Sequence, residues 1–302
     1  MIDFLSKMGS FVFNCSYSVM SVLILLIRRN KVSIPRAKDK DIFLLMNGPS
    51  LNNILNEYGD ALKHKTVMCV NMMAFTDDFE RVKPQFYTIA DIKFWQKMHN
   101  IDNNSFLSNE QKKWDMLSHE LVKKTKWRMY LILPDLAKEN KDLIHRLSQN
   151  KNIKLIFLNS GFYFKGFDSV CHKCWKYQLC VPELLNVLVL SLYISVLMRF
   201  NNIYLAGCDH TFFDGFHVDD NNHFYYEYKH SYDNNITTSV PYDSVGDAYS
   251  VGRILDEYAK LWKVYEELST FSREMGSRVF NCTQNSLIDV FDRKCIKEVL
   301  HG

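Results

Sequence analysis

Asp41-Ile-Phe-Leu-Leu-Met-Asn-Gly-Pro-Ser-Leu51 is the stretch of this chain that decides the fold. Its apolar part, Ile42–Met46, predicts a buried strand, because strands of a parallel sheet are continuous apolar runs. Gly48 favours a tight turn, and Pro49 and Ser50 are typical of a helix start. Backbone N–H groups and the helix dipole would then face a bound anion. The stretch predicts a phosphate-binding turn, with an ordinary strand-to-helix turn as the alternative.

Strands and helices alternate through the rest of the chain. Strands are predicted at Ile42–Met46, Thr66–Val70, Gln85–Ile89, Arg128–Leu133, Ile153–Leu158, Asn202–Asp209 and Arg278–Cys282, and helices at Leu51–Leu62, Glu110–Lys124, Pro182–Arg199 and Asp247–Phe271. Such alternation predicts an α/β fold with a doubly wound parallel sheet.

Polar residues stand where the predicted strands end. They are Asn47, Asn71, Asp91, Asn159, Asp209 and Asn281. Ligands of doubly wound sheets bind outside the carboxyl ends of the strands. The sequence therefore predicts a ligand site along this edge.

The segment of residues 210–246 has a different character. Four histidines are interleaved with aromatic residues: His210, His217, His223, His230, Phe212, Phe213, Phe216, Phe224, Tyr225, Tyr226, Tyr228 and Tyr232. No helical or strand period runs through it, and long irregular segments in compact domains are usually functional. The aromatic content argues against disorder. We expect an irregular lid over the site.

Phe11–Ile27 is mostly apolar and is followed by Arg28-Arg29-Asn30-Lys31. The run is short for a membrane span, which needs ~20 apolar residues. A signal peptide would carry its positive charge before the apolar run. The pattern predicts an interfacial anchor over residues 1–36, with a core helix as the alternative. Residues 37–302 then form one domain.

The bulk composition excludes several classes. The formal charge of +3 is too small to indicate nucleic acid binding. Eight scattered cysteines are typical of reduced thiols, and Cys171-His-Lys-Cys174 lacks the second pair of a zinc site. Asp77-Asp78 and Asp219-Asp220 are adjacent pairs whose side chains diverge, so no metal site is expected. No P-loop, dinucleotide fingerprint or hydrolase elbow occurs.

Four patches of the chain resemble the bacterial sialyltransferases of glycosyltransferase family 42. They are Asn47-Gly-Pro-Ser50, Cys69-Val-Asn71, Ile203-Tyr-Leu-Ala-Gly-Cys-Asp209 and Val279-Phe-Asn-Cys-Thr-Gln-Asn-Ser-Leu287. They follow the family's order, and they also fit related membrane-associated glycosyltransferases and pterin pyrophosphokinases. The chain departs from the family at Gln178-Leu-Cys-Val-Pro182, where the family has Thr-Ser-Gly in a segment that touches the donor.

The resemblance implies a Rossmann-like, mostly parallel GT-A variant with a lid and a CMP-activated sialic acid as donor. It implies that Asn47 and Asn71 contact the cytidine nucleotide and that Gly207, Cys208 and Asp209 line its pocket. Lid tyrosines would hold the departing phosphate and a lid histidine would act as base. No metal or other cofactor is implied.

The candidate site residues follow from the strand ends and from this resemblance. The catalytic candidates are His230 first and His223 second as the base, with Tyr225 and Tyr226, joined by Tyr228 and Lys229, at the leaving phosphate. The substrate-binding candidates are Asn47, Gly48, Pro49, Ser50, Asn71, Asp91, Asn159, Ser160, Gly161, Gly207, Cys208, Asp209, Asn285 and Ser286. Asparagine side chains suit a base or ribose because they both donate and accept.

The leading hypothesis is an inverting glycosyltransferase of surface polysaccharide or lipopolysaccharide biosynthesis. Such an enzyme would be cytoplasmic and would lie peripherally on the inner face of a bacterial cell membrane. Its partners would be a nucleotide-sugar donor, a lipid-linked or surface glycan acceptor and the membrane surface. Exposed aromatic residues make a homo-oligomer plausible. One alternative is a magnesium-dependent nucleotide pyrophosphokinase with Asp91 and Asp209 as ligands; another is a non-catalytic membrane-docked module of the same fold.

Overall fold

The computed structural model describes residues 2–28, 32–97, 105–164, 166–231, 236–241 and 248–301. Parts of the predicted anchor, lid and last long helix lie outside these ranges, among them Arg29, Asn30, Lys31, Tyr232 and Asp247.

A sheet of eight parallel strands forms the centre of the described structure. Its strands are β1 (Asp41–Leu45), β2 (Val67–Val70), β3 (Phe86–Thr88), β4 (Met129–Pro134), β5 (Ile153–Leu158), β6 (Asn202–Ala206), β10 (Arg278–Asn281) and β11 (Asp292–Arg293). Their order across the sheet is β11-β10-β6-β1-β2-β3-β4-β5. Chain order reverses between β6 and β1, so the crevice of a doubly wound sheet lies there.

Helices cover both faces of the sheet, which confirms the predicted fold class. They are α1 (Ile2–Arg28), α2 (Leu51–Leu62), α3 (Asp78–Val82), α4 (Ser105–Lys124), α5 (Lys141–Ser148), α6 (Asp168–Lys176), α7 (Val187–Leu197), α8 (Val251–Glu274) and α9 (Ile296–His301). Ile42 and Leu44 of β1 pack into one core with α7 and α8. Phe43 and Leu45 pack into the other with α2, α4 and α5. Burial on both faces explains the continuous apolar runs.

The long apolar helix α7 begins later than the sequence predicts. Its first residue is Val187 rather than Pro182, because the Asn186 side chain caps it by accepting a hydrogen bond from the Val189 N–H group at 3.1 Å. Short helices such as α5 and α6 have too few periodic residues to be found from the sequence.

The lid is not irregular in its described part. It folds into a three-stranded antiparallel sheet of β7 (Phe216–Val218), β8 (Phe224–Tyr228) and β9 (Thr237–Ser239). Phe216 packs between Phe224 and Tyr258 of α8, with ring centroids 5.0 and 6.1 Å away. This aromatic contact with the main domain, invisible in the local sequence, stabilises the small sheet.

Helix α1 packs along the domain through one face. Leu25 is 2% exposed and belongs to the core on the α7 side of the sheet. The Ser18 hydroxyl accepts a hydrogen bond from the Phe167 N–H group at 3.1 Å, just before α6. Within the described ranges, no helix combines the length and the apolar character needed to cross a membrane.

Candidate functional site at the carboxyl edge of the sheet

Two glycines let the turns after β1 and β6 approach each other closely. The Gly48 N–H group donates to the Gly207 carbonyl oxygen at 2.9 Å. A Cβ atom on Gly48 would lie 1.9 Å from an Asp209 carboxylate oxygen, and one on Gly207 would lie 2.8 Å from the Met46 carbonyl oxygen. Gly207 also has φ +73°, a conformation that favours glycine. The glycines of both turns are thus required by the crevice itself.

Asp209 occupies the N-terminus of α2. Its carboxylate accepts hydrogen bonds from the Ser50 N–H group at 3.2 Å and from the Ser50 hydroxyl at 2.8 Å. Burial raises the pKa of Asp209, and the two Ser50 bonds oppose this rise. The Leu51 N–H group donates to the Gly48 carbonyl oxygen at 3.0 Å. These N–H groups therefore do not form the open phosphate cradle that the sequence predicts, because a carboxylate of the protein fills it.

Two buried amide oxygens without partners lie at the neighbouring ends of β1 and β2. Asn47 is 8% exposed, and its Oδ1 has no hydrogen-bond partner within the described chain. Oδ1 of Asn71 likewise has no hydrogen-bond partner within the described chain. The backbone of Asn71 has φ +44°, and its carbonyl oxygen accepts a hydrogen bond from the Tyr87 hydroxyl. Adjacent strands lie about 4.8 Å apart. A buried acceptor without a donor costs about 1–3 kcal/mol, so the pair is suited to a ligand that brings donors.

Ser231, which follows β8, attaches the lid to this edge. Its N–H group donates to the Asn47 carbonyl oxygen at 2.9 Å, and its carbonyl oxygen accepts from Asn52 Nδ2 at 2.7 Å. The Ser231 hydroxyl is a third buried oxygen without a partner among the described residues. These contacts place the preceding residue, His230, next to Asn47.

A row of three rings runs along one face of β8 towards Asn47. Tyr226 stacks on Tyr228 at 5.2 Å, and Tyr228 meets the His230 ring edge-on at 5.0 Å. Alternate residues of a strand share a face, which aligns Tyr226 and Tyr228 of β8, and His230 continues the row two residues after the strand ends.

Two other candidate residues of the lid, His223 and Tyr225, lie away from this row of rings. His223 lies in the turn between β7 and β8, where its Nδ1 is 3.3 Å from Asp219 Oδ2 and its side chain is 75% exposed. The five residue steps to Tyr228 span about 17 Å of strand. Tyr225 is on the opposite face of β8 from Tyr226, stacked on His217 at 5.2 Å. The structure thus separates His223 and Tyr225 from His230 and Tyr226.

A buried histidine directly after Asp209 was not among the predicted site residues. His210 has φ +55°, and its Nε2 is 2.7 Å from the Tyr265 hydroxyl. Asn186 Nδ2 donates to that hydroxyl oxygen at 2.7 Å, and the hydroxyl proton has no acceptor among the described residues other than Nε2, so the Tyr265 hydroxyl donates to Nε2. Burial lowers the pKa of His210 to about 4, so the ring is neutral at pH 7. Nothing in the sequence distinguishes His210 as buried, because it is one of several histidines in an aromatic-rich segment.

Several predicted strand-end residues lie away from the crevice because the sheet is wide. Asn159, Ser160 and Gly161 follow β5, four strands and about 19 Å from β1. Asn159 Nδ2 donates to the Gln178 carbonyl oxygen at 2.7 Å, and the Ser160 hydroxyl donates to Asp135 Oδ1 at 2.7 Å.

Asp91 and the residues after β10 have structural partners. The Asp91 side chain accepts from the Lys93 N–H group at 2.9 Å. Buried Ser286 donates from its hydroxyl to the Cys208 carbonyl oxygen at 2.5 Å, and it accepts from Asn281 Nδ2 at 3.0 Å. Asn285 is an exposed turn residue with φ +54°. Ser286 therefore fixes the end of β10 beside β6, and its hydroxyl is not available to a substrate.

The cysteines are all free and mostly buried. Burial raises the pKa of Cys208 well above its ordinary value, so it lines the strand end as a neutral thiol. Among the residues that the structure describes, no group of three or more His, Cys, Asp or Glu side chains could hold a metal ion.

Comparisons with known proteins give little at the level of sequence. No protein-family model matches the chain, and no curated protein is similar to it. Among solved structures, the chain is similar to the MAf glycosyltransferase from Magnetospirillum magneticum AMB-1, at 11% identity and a TM-score of 0.45. The similarity covers 93% of this chain and 38% of that protein.

Proposed function

We propose that the chain is an inverting glycosyltransferase that moves a sugar, a sialic acid or a related acid, from a CMP-activated donor onto a lipid-linked or surface glycan. The proposal combines the crevice geometry with the resemblance of the four sequence patches. It requires no metal ion or other cofactor.

The observation that carries the proposal is the pair of buried, unpartnered oxygens of Asn47 and Asn71. A group that satisfies them must donate hydrogen bonds. The amino group of cytosine and the hydroxyls of ribose are donors, whereas an ionised phosphate has none. The pair therefore favours a nucleoside at this position, with the phosphate further along the crevice under the lid.

The lid supplies groups for the chemical step. The acceptor hydroxyl oxygen attacks the anomeric carbon from the face opposite the phosphate, and the bond to the phosphate oxygen breaks as the new bond forms. The hydroxyl proton passes to His230, and CMP leaves with its phosphate held by donors such as the Tyr226 and Tyr228 hydroxyls. His210 is less suited to be the base, because its Nε2 already accepts a hydrogen bond from Tyr265.

The pyrophosphokinase alternative fits the strand order poorly. Asp209 follows β6 and Asp91 follows β3, three strand spacings or about 14 Å away. Two carboxylates at that separation cannot share one magnesium ion, whose ligands lie at about 2.1 Å. Asp209 is also hydrogen-bonded to Ser50.

The test is thermal unfolding of the full chain with CMP, CDP, UDP or GDP, each with and without magnesium. A nucleotide at a hundredfold excess over its dissociation constant stabilises the fold by about 2.7 kcal/mol, a shift of about 4 °C for a chain of this size. We expect the shift with CMP, without magnesium, in the native chain and in the control Asn53→Ala. The side chain of Asn53 is exposed in the first turn of α2. Asn47→Ala and Asn71→Ala should each abolish it.

Other outcomes would redirect the proposal. A shift with UDP or GDP alone would contradict the CMP donor, and a strict need for magnesium would favour the pyrophosphokinase. No shift with any nucleotide would favour a non-catalytic module. If CMP binds, His230→Ala should retain the shift and lose transfer from CMP-sialic acid, whereas His223→Ala should retain both.

A further inference from the structure

Helix α1 differs in polarity from an ordinary helix on the surface of a globular domain, because its buried side includes serines and its outer side is apolar. The side that packs on the domain carries Asn14, Ser18 and Ser21 beside the apolar residues Phe11, Val22 and Leu25, and the Phe11 ring lies 5.6 Å from that of Phe167. Ser18 and Ser21 are buried at 7% and 2% exposure. Surface helices of soluble proteins normally turn an apolar stripe inwards.

The opposite side of α1 is apolar and exposed. Val12, Val19, Leu23 and Ile27 follow one another along it and are 58%, 62%, 53% and 85% exposed. Further large apolar side chains widen the face, namely Met8, Phe13, Tyr17, Met20 and Leu26, each at least 41% exposed. Isolated exposed apolar residues are ordinary, but a continuous face of this extent marks an interaction surface.

Ser16, a polar residue in the middle of this face, forms a hydrogen bond within the helix itself. The hydroxyl of Ser16 donates to the Val12 carbonyl oxygen at 3.1 Å, one turn earlier. A serine bonded in this way needs no water and is compatible with an apolar environment.

Charge identifies the partner of this face. Residues 28–40, which follow the face in the chain, contain six basic residues and one acidic residue, a net charge of +5. The whole chain carries +3, so all other positions together carry −2. Arg36, Lys38 and Lys40 are exposed. A broad apolar helix face that is followed in the chain by a run of basic residues is the combination that binds anionic lipid surfaces.

We propose that the outward face of α1, from Met8 to Ile27, lies in the interface of an anionic lipid bilayer, with the exposed Arg36, Lys38 and Lys40 at the headgroups. The helix would lie along the surface, with its serine-rich side against the domain. This inference does not depend on the identity of the donor, so it can fail or succeed separately from the proposed function.

The test is flotation of the full chain with vesicles of phosphatidylcholine alone and of phosphatidylcholine with one-third phosphatidylglycerol. We expect binding to the anionic vesicles to weaken at least about tenfold in the double variant Val19→Gln, Leu23→Gln. The control Met116→Gln, Leu136→Gln changes two apolar residues elsewhere that are 56% and 40% exposed, and it should bind like the native chain.

Charge is tested separately with Arg36→Gln and Lys38→Gln. Each should weaken binding to the anionic vesicles by roughly fivefold and leave binding to the neutral vesicles unchanged. All substituted residues are exposed, so thermal unfolding should match the native chain and confirm folding.

Two results would overturn the proposal. The first is that the native chain and the Val19→Gln, Leu23→Gln variant float equally well, whichever type of vesicle is used. The second is concentration-dependent self-association of the native chain that the same variant abolishes, because the face would then bind a second copy of this chain.

Discussion

The neutral state of His210 makes the stability of this protein depend on pH in a way that a single substitution should remove. The ring packs against Phe212, Trp262 and Tyr265 at centroid distances of 5.0, 6.0 and 5.7 Å. Its Nε2 accepts a hydrogen bond from the Tyr265 hydroxyl at 2.7 Å. Protonation of Nε2 would replace that bond with two facing donors inside an aromatic enclosure, which disfavours the charged ring.

The size of the effect follows from the two pKa values. The ordinary value is 6.5, and burial lowers the pKa of His210 in the folded chain to about 4. Between these values the unfolded chain binds a proton at this position and the folded chain does not. The stabilisation is therefore complete above pH 6.5 and is lost as the pH falls towards 4. It amounts to about 3 kcal/mol in total, of which about 2 kcal/mol is lost between pH 7 and pH 5.

The assay is urea unfolding, followed by tryptophan fluorescence at pH 7 and pH 5, of the native chain, His210→Gln and the control His64→Gln. The glutamine Oε1 can still accept from Tyr265, and His64 is exposed. Between pH 7 and pH 5 the native chain and the control should lose about 2 kcal/mol more than His210→Gln. Equal losses in all three proteins, within about 0.5 kcal/mol, would refute the assignment of a neutral, proton-accepting Nε2.

The other predictions concern backbone and hydrogen bonds at the crevice. Gly207→Ala should destabilise the chain by at least about 2 kcal/mol, because it combines φ +73° with a Cβ atom 2.8 Å from the Met46 carbonyl oxygen. Gly276→Ala, at φ +81° with nothing within 4 Å, should cost only about 1 kcal/mol, and equal losses in thermal unfolding would contradict the crowding argument. Ser286→Ala should cost about 1–3 kcal/mol because it leaves buried Asn281 Nδ2 short of a partner; a change below about 0.5 kcal/mol would show that this hydrogen bond adds no stability.

Local patterns were sufficient to predict the layers of the fold. The predicted helix Leu51–Leu62 and strand Ile153–Leu158 have the bounds found in the structure, and the other main strands differ by one to three residues at their ends. Strands buried on both faces must be apolar throughout, and this requirement is visible within each short segment. The lid was harder because β7, β8 and β9 are short, and their stability comes from contacts with Tyr258 far along the chain.

The sequence predicted that the site lies at the carboxyl edge of the sheet, but it did not predict which residues form it. Polar residues at strand ends pointed to the carboxyl edge, yet an edge eight strands wide cannot be one pocket. Asn47 and Asn71 end neighbouring strands, whereas Asn159 ends a strand at the far side. His210 gave no signal, since its character depends on Tyr265 and Asn186, two residues that only the fold brings to it.

The sequence by itself determined the doubly wound sheet, the glycine turns and the apolar N-terminal helix, because hydrophobic period and turn chemistry act over a few neighbouring residues. The tertiary structure decided which strand ends meet, that Asp209 fills the helix N-terminus at Ser50, and that the serine side of α1 faces the domain. These features depend on strand order and on contacts between distant segments. The carboxylate of Asp209 and the Ser50 hydroxyl, for example, are 159 residues apart in the chain and 2.8 Å apart in the fold.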